Sequence, residues 1–476
     1  MKHFALISLV AFIILMGTCW VTNRFAPHWV PDSPSYTEYS FESAEAIATQ
    51  IRTPGYPVLV RFTKALANSG ADQAFWANQT LVILHIALQA IAVGLLAVEL
   101  AGWNFSRQTI VIAACVFAIG CTFWDHVNTI ATDAPAMSLA AMIGIGVLRI
   151  WRTGLTPRLC ITLGILTTLV IALRPAYLFL IPWLMLSVFV RPGVTFSRRW
   201  APAIAVGALP LIALMAWCTF RLITVDDLGV LPFGHQNMAA VTTQLLDADE
   251  LEALPGRLGE LGKEIADRRI EMAAGAQVAA DGLDLRPRAD AAPRADSYTT
   301  IENRWDAMTY MIVIPAAEAV ASRTSTKLAP SPGLQRVHQH QMLAELDRTI
   351  VRSYPVRYLR WIMLAIRRGV WGSVADMLMH PIFFVVTMGL AVAACIASIR
   401  FRPTQTAEPF REHASTQTGL AALTWLALSY WLFKIAFVSL TSPPIGRFSD
   451  AAAVWLPVWI AVVLVSRCCP KPHTTP

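Results

Sequence analysis

Long apolar stretches recur along this chain, and the basic residues between them are shared unevenly. A helix needs about 20 mostly apolar residues to cross a bilayer. Stretches near that length lie at about 4–22, 79–101, 109–124, 134–150, 159–173, 176–190, 201–222, 380–399, 419–440 and 451–466. In hydrocarbon the backbone must satisfy its own hydrogen bonds, so such runs fold as helices. The composition agrees: 55% of residues are hydrophobic and only 14% are charged. A water-exposed globular domain is nearer one quarter charged. The net charge of +7 is spread in short basic runs between the stretches. That distribution orients a membrane protein and excludes a nucleic-acid patch.

The first stretch follows "MKH" and resembles a signal peptide in length, but "GTCW" lacks the small residues of a cleavage site. It is expected to be a retained helix. Ten stretches put both flanks on one side. With that side inside, the inner loops hold Arg107; Arg149, Arg152 and Arg158; Arg191, Arg198 and Arg199; Arg400, Arg402 and Arg411; and Arg467 with Lys471. The short outer loops hold only Arg174 and Arg447. The positive-inside rule therefore predicts both ends inside, with 23–78 and 223–379 outside. The expected fold class is all-α: a polytopic transmembrane helical bundle of about ten spans, with interfacial helices and a large extracytoplasmic loop. Its parts are a transmembrane module (1–222), the outer segment (223–379) and a second transmembrane module (380–476).

The outer segment changes character. "LPGRLGELGKEIADRRIEMAAG" reads as a polar helix, and "DGLDLRPRADAAPRAD" as a linker. "VRYLRWIMLAIRRGVW" (356–371) is amphipathic, with Arg357, Arg360, Arg367 and Arg368 on one stripe. It predicts a helix lying in the interface. "YPVLVRFTKAL" (57–67) reads as a smaller version. The eight cysteines form no disulfide or C-x-x-C pattern, and most sit inside apolar stretches as small hydrophobes. "HQH" at 338–340 does not present two imidazoles to one metal on a helix, and His126 and His235 read as loop residues.

One face nevertheless gathers polar groups that the inside rule does not explain. "PDSPSYTEYS" and "IRTPGYP" place Asp32, Glu38 and Arg52 just past the first stretch. Asp133 opens the stretch at 134, and Arg174 and Arg447 stand in outer loops. Each has a structural reading beside the functional one. Asp32 and Asp133 suit helix N-caps, and the three arginines suit anchors that reach for headgroups. Ionisable groups at a bilayer edge are also frequent carriers of function.

An Asp in the first outer loop, a following R-x-P-G-Y-P, an acidic residue opening a later span and a membrane-parallel helix before the last spans resemble the GT-C superfamily. These are polytopic glycosyltransferases that use polyprenyl-phosphate sugars, among them protein mannosyltransferases and lipid A aminoarabinose transferases. The likeness covers about 1–235 and 350–455 and is most specific at 32–57. It implies a multi-pass protein of the bacterial inner membrane, a polyprenyl-phosphate sugar donor, and a lipid, glycan or protein acceptor on the extracytoplasmic face. No nucleic acid is implied. It makes Asp32 the general base, with Asp133 as a second catalytic carboxylate. Arg52, Arg174 and Arg447 suit the donor phosphate, since a guanidinium stays charged and binds two oxygens at once. No metal ligand set is assigned, and a divalent metal is left open as cofactor. No Gly-rich phosphate loop is present, which agrees with a lipid-linked donor rather than a nucleotide sugar. Two alternatives stay open at this point: a transporter or flippase of lipid-linked saccharides, and an O-antigen ligase or polymerase.

Overall fold

The computed structural model describes residues 2–67, 72–274, 305, 308–324, 331–379, 384–385, 388–389, 391–392, 410–444 and 451–468. Among them the chain is helical, and the one β-type pairing is a single bridge between His28 and Thr129. Five helices are long and apolar enough to cross a membrane: His3–Val21, Gln73–Gly102, Asp133–Thr153, Phe196–Val225 and Thr416–Ser439. Four further apolar helices are shorter: Arg107–Ala118, Pro157–Leu173, Pro175–Phe189 and Ala453–Ser466. The stretch read at 109–124 is shorter than the sequence suggests because its helix ends at Ala118, and a separate turn of helix, Cys121–Trp124, follows Gly120. The expected span at 380–399 and the linker at 281–296 fall largely outside the described residues.

In chain order the helices are α1 (Lys2–Val21), α2 (Pro34–Thr37), α3 (Ala44–Ala48), α4 (Gly55–Leu66), α5 (Gln73–Gly102), α6 (Arg107–Ala118), α7 (Cys121–Trp124), α8 (Asp133–Thr153), α9 (Pro157–Leu173), α10 (Leu180–Phe189) and α11 (Trp200–Val225). They continue with α12 (Gly234–Thr242), α13 (Ala248–Glu252), α14 (Arg257–Ala274), α15 (Ile314–Thr324), α16 (Pro332–Ser353), α17 (Pro355–Met379), α18 (Phe410–Ser439) and α19 (Leu456–Cys468).

The bundle is organised around α5 and α8. Helices α1, α4, α6 and α8 all pack on α5, while α8 also meets α9, α10 and α18. Almost every residue of α8 is buried. Its Ala136, Ala140, Ala141, Gly144 and Gly146 let neighbours approach closely, which is how helices gain contact where no hydrophobic drive exists. At Gly144 an added Cβ would lie 2.7 Å from Cζ2 of Trp455. That indole stacks on Phe117 at 5.4 Å, so α6, α8 and the turn that leads into α19 share one contact. At the end of α8 away from Asp133, Arg152 forks onto buried Glu99 of α5 at 2.8 and 3.0 Å, neutralising an acid that an apolar helix could not otherwise hold.

The segment between α11 and α17 builds a second core. Leu245, Leu246, Leu251, Leu261, Ile265, Ile312, Leu343, Leu346 and Trp361 lie together in it, apart from the bundle core. The polar helix read at 254–275 is α14, and it buries Leu258, Leu261 and Ile265 on one side. Asp247 and Glu250 close a reciprocal cap on α13. Helix α17 departs from the stripe reading at 356–371 at one position. Arg357 forks onto Glu250 at 2.7 and 2.9 Å while staying partly exposed, and Trp361 is fully buried. Arg360, Arg367 and Arg368 of the stripe are exposed, and so are Val356, Leu359 and Met363 at three- and four-residue spacing.

Candidate functional site

After α1 the chain runs back across the end of the bundle in extended form. His28 N donates to Asn128 O at 2.8 Å, and Ile130 N donates to His28 O at 2.9 Å. Ser33 locks the join: its Oγ donates to Ile130 O at 2.8 Å and accepts from Val30 N at 3.0 Å. The loop carrying Asp32 and the loop leading into Asp133 therefore lie side by side.

Asp32 faces Arg52 across this floor, with Oδ1 2.7 Å from Nη2. Arg52 Nε donates to Ser35 Oγ at 2.9 Å, and its guanidinium lies over the Tyr36 ring at 5.0 Å. The pair keeps 21% (Arg52) and 29% (Asp32) of its side-chain surface open to solvent. Helix α2 begins after Ser33, and the Asp32 carboxylate is directed to Arg52 rather than serving as a plain cap. Asp133 is the first residue of α8 after Thr132, and its carboxylate pairs with Arg174. Here only 3% (Asp133) and 11% (Arg174) of the side chains are exposed. The two pairs differ accordingly: one open, one sealed.

Aromatic side chains join them. The Tyr36 hydroxyl lies 3.5 Å from Thr132 Oγ1, next to Asp133. Tyr36 meets buried Tyr56 edge-on at 5.1 Å, and the Tyr56 hydroxyl lies 3.5 Å from His85 Nε2, whose Nδ1 is held 3.0 Å from Val127 O. Burial above all, then Tyr36 and Asp133, pushes the Tyr56 phenol well above its usual range, so it stays a hydrogen-bond donor. The "TPGYP" turn brings α4 against the last turn of α9. A Cβ on Gly55 would strike Ala172 O and lie 2.8 Å from Leu173 N, directly before Arg174. Only glycine permits that approach. Beyond the turn, α4 buries Tyr56, Val60 and Thr63 and leaves Val58, Phe62 and Leu66 exposed. On its other flank a cavity of about 320 Å³ is lined by Tyr36, Tyr39, Phe41, Arg61 and Lys64.

Four of the five residues singled out from sequence thus come to one end of the bundle, as two ion pairs. Arg447, the fifth, lies outside the described residues. Sequence reading missed Lys434. This lysine of α18 is 1% exposed, donates to Ala176 O at 2.7 Å, and lies over the Tyr177 ring at 4.1 Å. It is near enough to Asp133 and Arg174 to feel both charges. The one signal available was its position as the sole charged residue of the stretch at 419–440. Among the described residues no three His, Cys, Asp or Glu side chains are grouped to hold a metal ion.

The segment after α11 packs over the same end. Ser331 Oγ donates to Glu45 at 2.6 Å, Arg336 donates to Thr49 O at 3.1 Å, and the Phe233 ring lies 6.0 Å from the Arg52 guanidinium. His235, read from sequence as a loop residue, sits in the first turn of α12 and places Nδ1 2.8 Å from Oδ2 of Asp347. Thr242 donates to the other oxygen of that carboxylate at 2.6 Å. His340 packs its ring 5.0 Å from that of His235.

His340 makes a pH dependence measurable. Burial, then the charges of His235 and Arg221, lower it from the usual 6.5 to about 3. The unfolded chain takes up this proton near pH 6.5 and the folded chain does not until about 3. Stability is therefore lost as pH falls through that window, by up to about 1.4 kcal/mol per pH unit. Asp347, pushed up by burial, acts in the opposite sense. The comparison that isolates His340 is wild type against His340→Gln. Thermal unfolding in detergent should show a shallower acid slope for the variant.

No protein-family model, no curated protein and no solved structure matches this chain.

Proposed function

We propose that this chain is an integral membrane glycosyltransferase that moves a sugar from a polyprenyl phosphate to an acceptor hydroxyl on the extracytoplasmic face. In this reading about ten spans cross the bilayer with both ends inside, as the arginine bias of the loops favours. The observation that carries it is the meeting of the open Asp32–Arg52 pair and the sealed Asp133–Arg174 pair at one end of an apolar bundle. The exposed Val58, Phe62 and Leu66 of α4 lie beside them, a surface suited to a lipid chain.

The chemistry follows from the open pair. A carboxylate held by a guanidinium is a weak base. The donor phosphate competes for Arg52, and its arrival frees Asp32 and raises its proton affinity. Asp32 then takes the proton of the acceptor hydroxyl as that oxygen bonds to the anomeric carbon. The bond from that carbon to the phosphate oxygen breaks, and the phosphate leaves with the electron pair, its charge met by Arg52. The sealed pair keeps the neighbouring loop rigid.

Purified protein in proteoliposomes, given a panel of polyprenyl phosphates carrying radiolabelled sugars, should consume at least one donor and release the polyprenyl phosphate. In a cysteine-free background Glu42→Cys should react with an impermeant thiol reagent from outside cells, and Thr153→Cys should not. Label that crosses the bilayer while still attached to its lipid would mean a flippase and overturn the reading. No consumption across the panel would overturn it as well.

A further inference from the structure

We propose that His235, held by Asp347, is the proton outlet of the site, taking on the proton that Asp32 removes from the acceptor. The inference rests on the transferase reading above. Three observations carry it. First, the arrangement is that of an oriented base. Asp347 is fully buried, and its two oxygens are engaged by His235 Nδ1 at 2.8 Å and Thr242 Oγ1 at 2.6 Å. A carboxylate so placed fixes the tautomer with the proton on Nδ1 and stabilises the imidazolium when Nε2 gains a second proton. Second, the far side of the ring is open. His235 keeps 34% of its side-chain surface exposed, and no hydrogen-bond partner for Nε2 is present among the described residues. Third, the dyad borders the ion pair: Phe233, two residues before His235, stands 6.0 Å from the Arg52 guanidinium. Asp32, Arg52 and His235 keep 29%, 21% and 34% of their side-chain surface open, so each is accessible to solvent.

The proton balance is simple. The acceptor O–H proton goes to the Asp32 carboxylate while the glycosidic bond to phosphate breaks. It then passes through water to His235 Nε2, and the imidazolium releases it to the outer solution, restoring Asp32 for the next turnover. A buried structural histidine serves no such step; His340 shows the contrast, with Nδ1 buried and no hydrogen-bond partner among the described residues. The ionisable groups facing His235 are Asp347 and His340 of α16. The π turn Met308–Val313, which also packs on α12, brings no charged side chain. Arg221 acts from beyond His340 and Arg52 from beyond Phe233. Burial raises the proton affinity of Asp347, whose carboxylate holds His235 Nδ1 at 2.8 Å.

The test uses the full chain in proteoliposomes, with the polyprenyl-phosphate-linked radiolabelled sugar that wild type consumes. His235→Gln should slow turnover by about tenfold to a hundredfold at an unchanged half-saturating donor concentration. Added imidazole should restore much of the loss, as it would not for a purely structural defect. Asp347→Asn should shift the acid limb of the pH profile. A His235→Gln protein that turns over as wild type does, or one that imidazole fails to rescue, overturns the proposal while leaving the transferase reading intact. A second arm needs no activity: diethyl pyrocarbonate should modify His235 in the intact chain, with a pH dependence that Asp347→Asn displaces. An unreactive His235, or one whose titration ignores Asp347, overturns the proposal even if no donor is ever consumed.

Discussion

Asp133→Ala should destabilise the folded chain by about 3–5 kcal/mol, the usual cost of removing one partner from a buried ion pair. Asp133 is 3% exposed and its partner Arg174 only 11%, so water cannot take the place of the lost carboxylate. Without Asp133 the Arg174 charge stays in a site of low polarity without that carboxylate. Intrinsic tryptophan fluorescence during unfolding in detergent reads the effect. The double variant Asp133→Ala/Arg174→Met should recover most of the loss, because it removes the charge that the single variant strands. Equal instability of single and double variants would mean that packing, not charge, holds the α8–α9 junction.

Asp32→Asn should separate chemistry from folding. Its pair with Arg52 is open to solvent, and such pairs contribute about 0–1 kcal/mol. The variant should therefore insert and unfold much as wild type does. Transfer, by contrast, should fall by about 10²–10⁴-fold, since the amide cannot accept the acceptor's proton. The half-saturating donor concentration should stay level or drop, because Arg52 no longer has a carboxylate competing with phosphate. That split, lower turnover without weaker donor binding, is the signature of a base paired with the phosphate-binding residue. A variant with wild-type turnover would remove Asp32 from the chemistry. A rise in half-saturating donor with turnover preserved would recast it as a residue that orients Arg52.

The sequence made Asp32, Arg52, Asp133 and Arg174 visible because charges beside apolar stretches are expensive and thus conspicuous. It did not reveal that they form two pairs. Pairing depends on the extended stretch around His28 lying against Asn128 and Ile130, a contact between segments about a hundred residues apart. Local pattern also misled at Arg357. The stripe of arginines suggested headgroups, but Glu250, which lies 107 positions earlier, captures the guanidinium. His235 was hidden for a similar reason. Nothing near it in sequence announces Asp347, which lies 112 positions away.

Composition and spacing alone determined that this chain is helical and built to contact lipid, because apolar runs near bilayer length leave the backbone no other way to satisfy its hydrogen bonds. They also singled out the charged residues beside the apolar stretches, because such charges are costly there. Only the tertiary structure decided which charge meets which, which pair is sealed and which is open, and where an imidazole finds its carboxylate. Those outcomes depend on burial and on close approaches such as Gly55 against Ala172, and both are set by packing between distant segments rather than by any residue's neighbours in sequence.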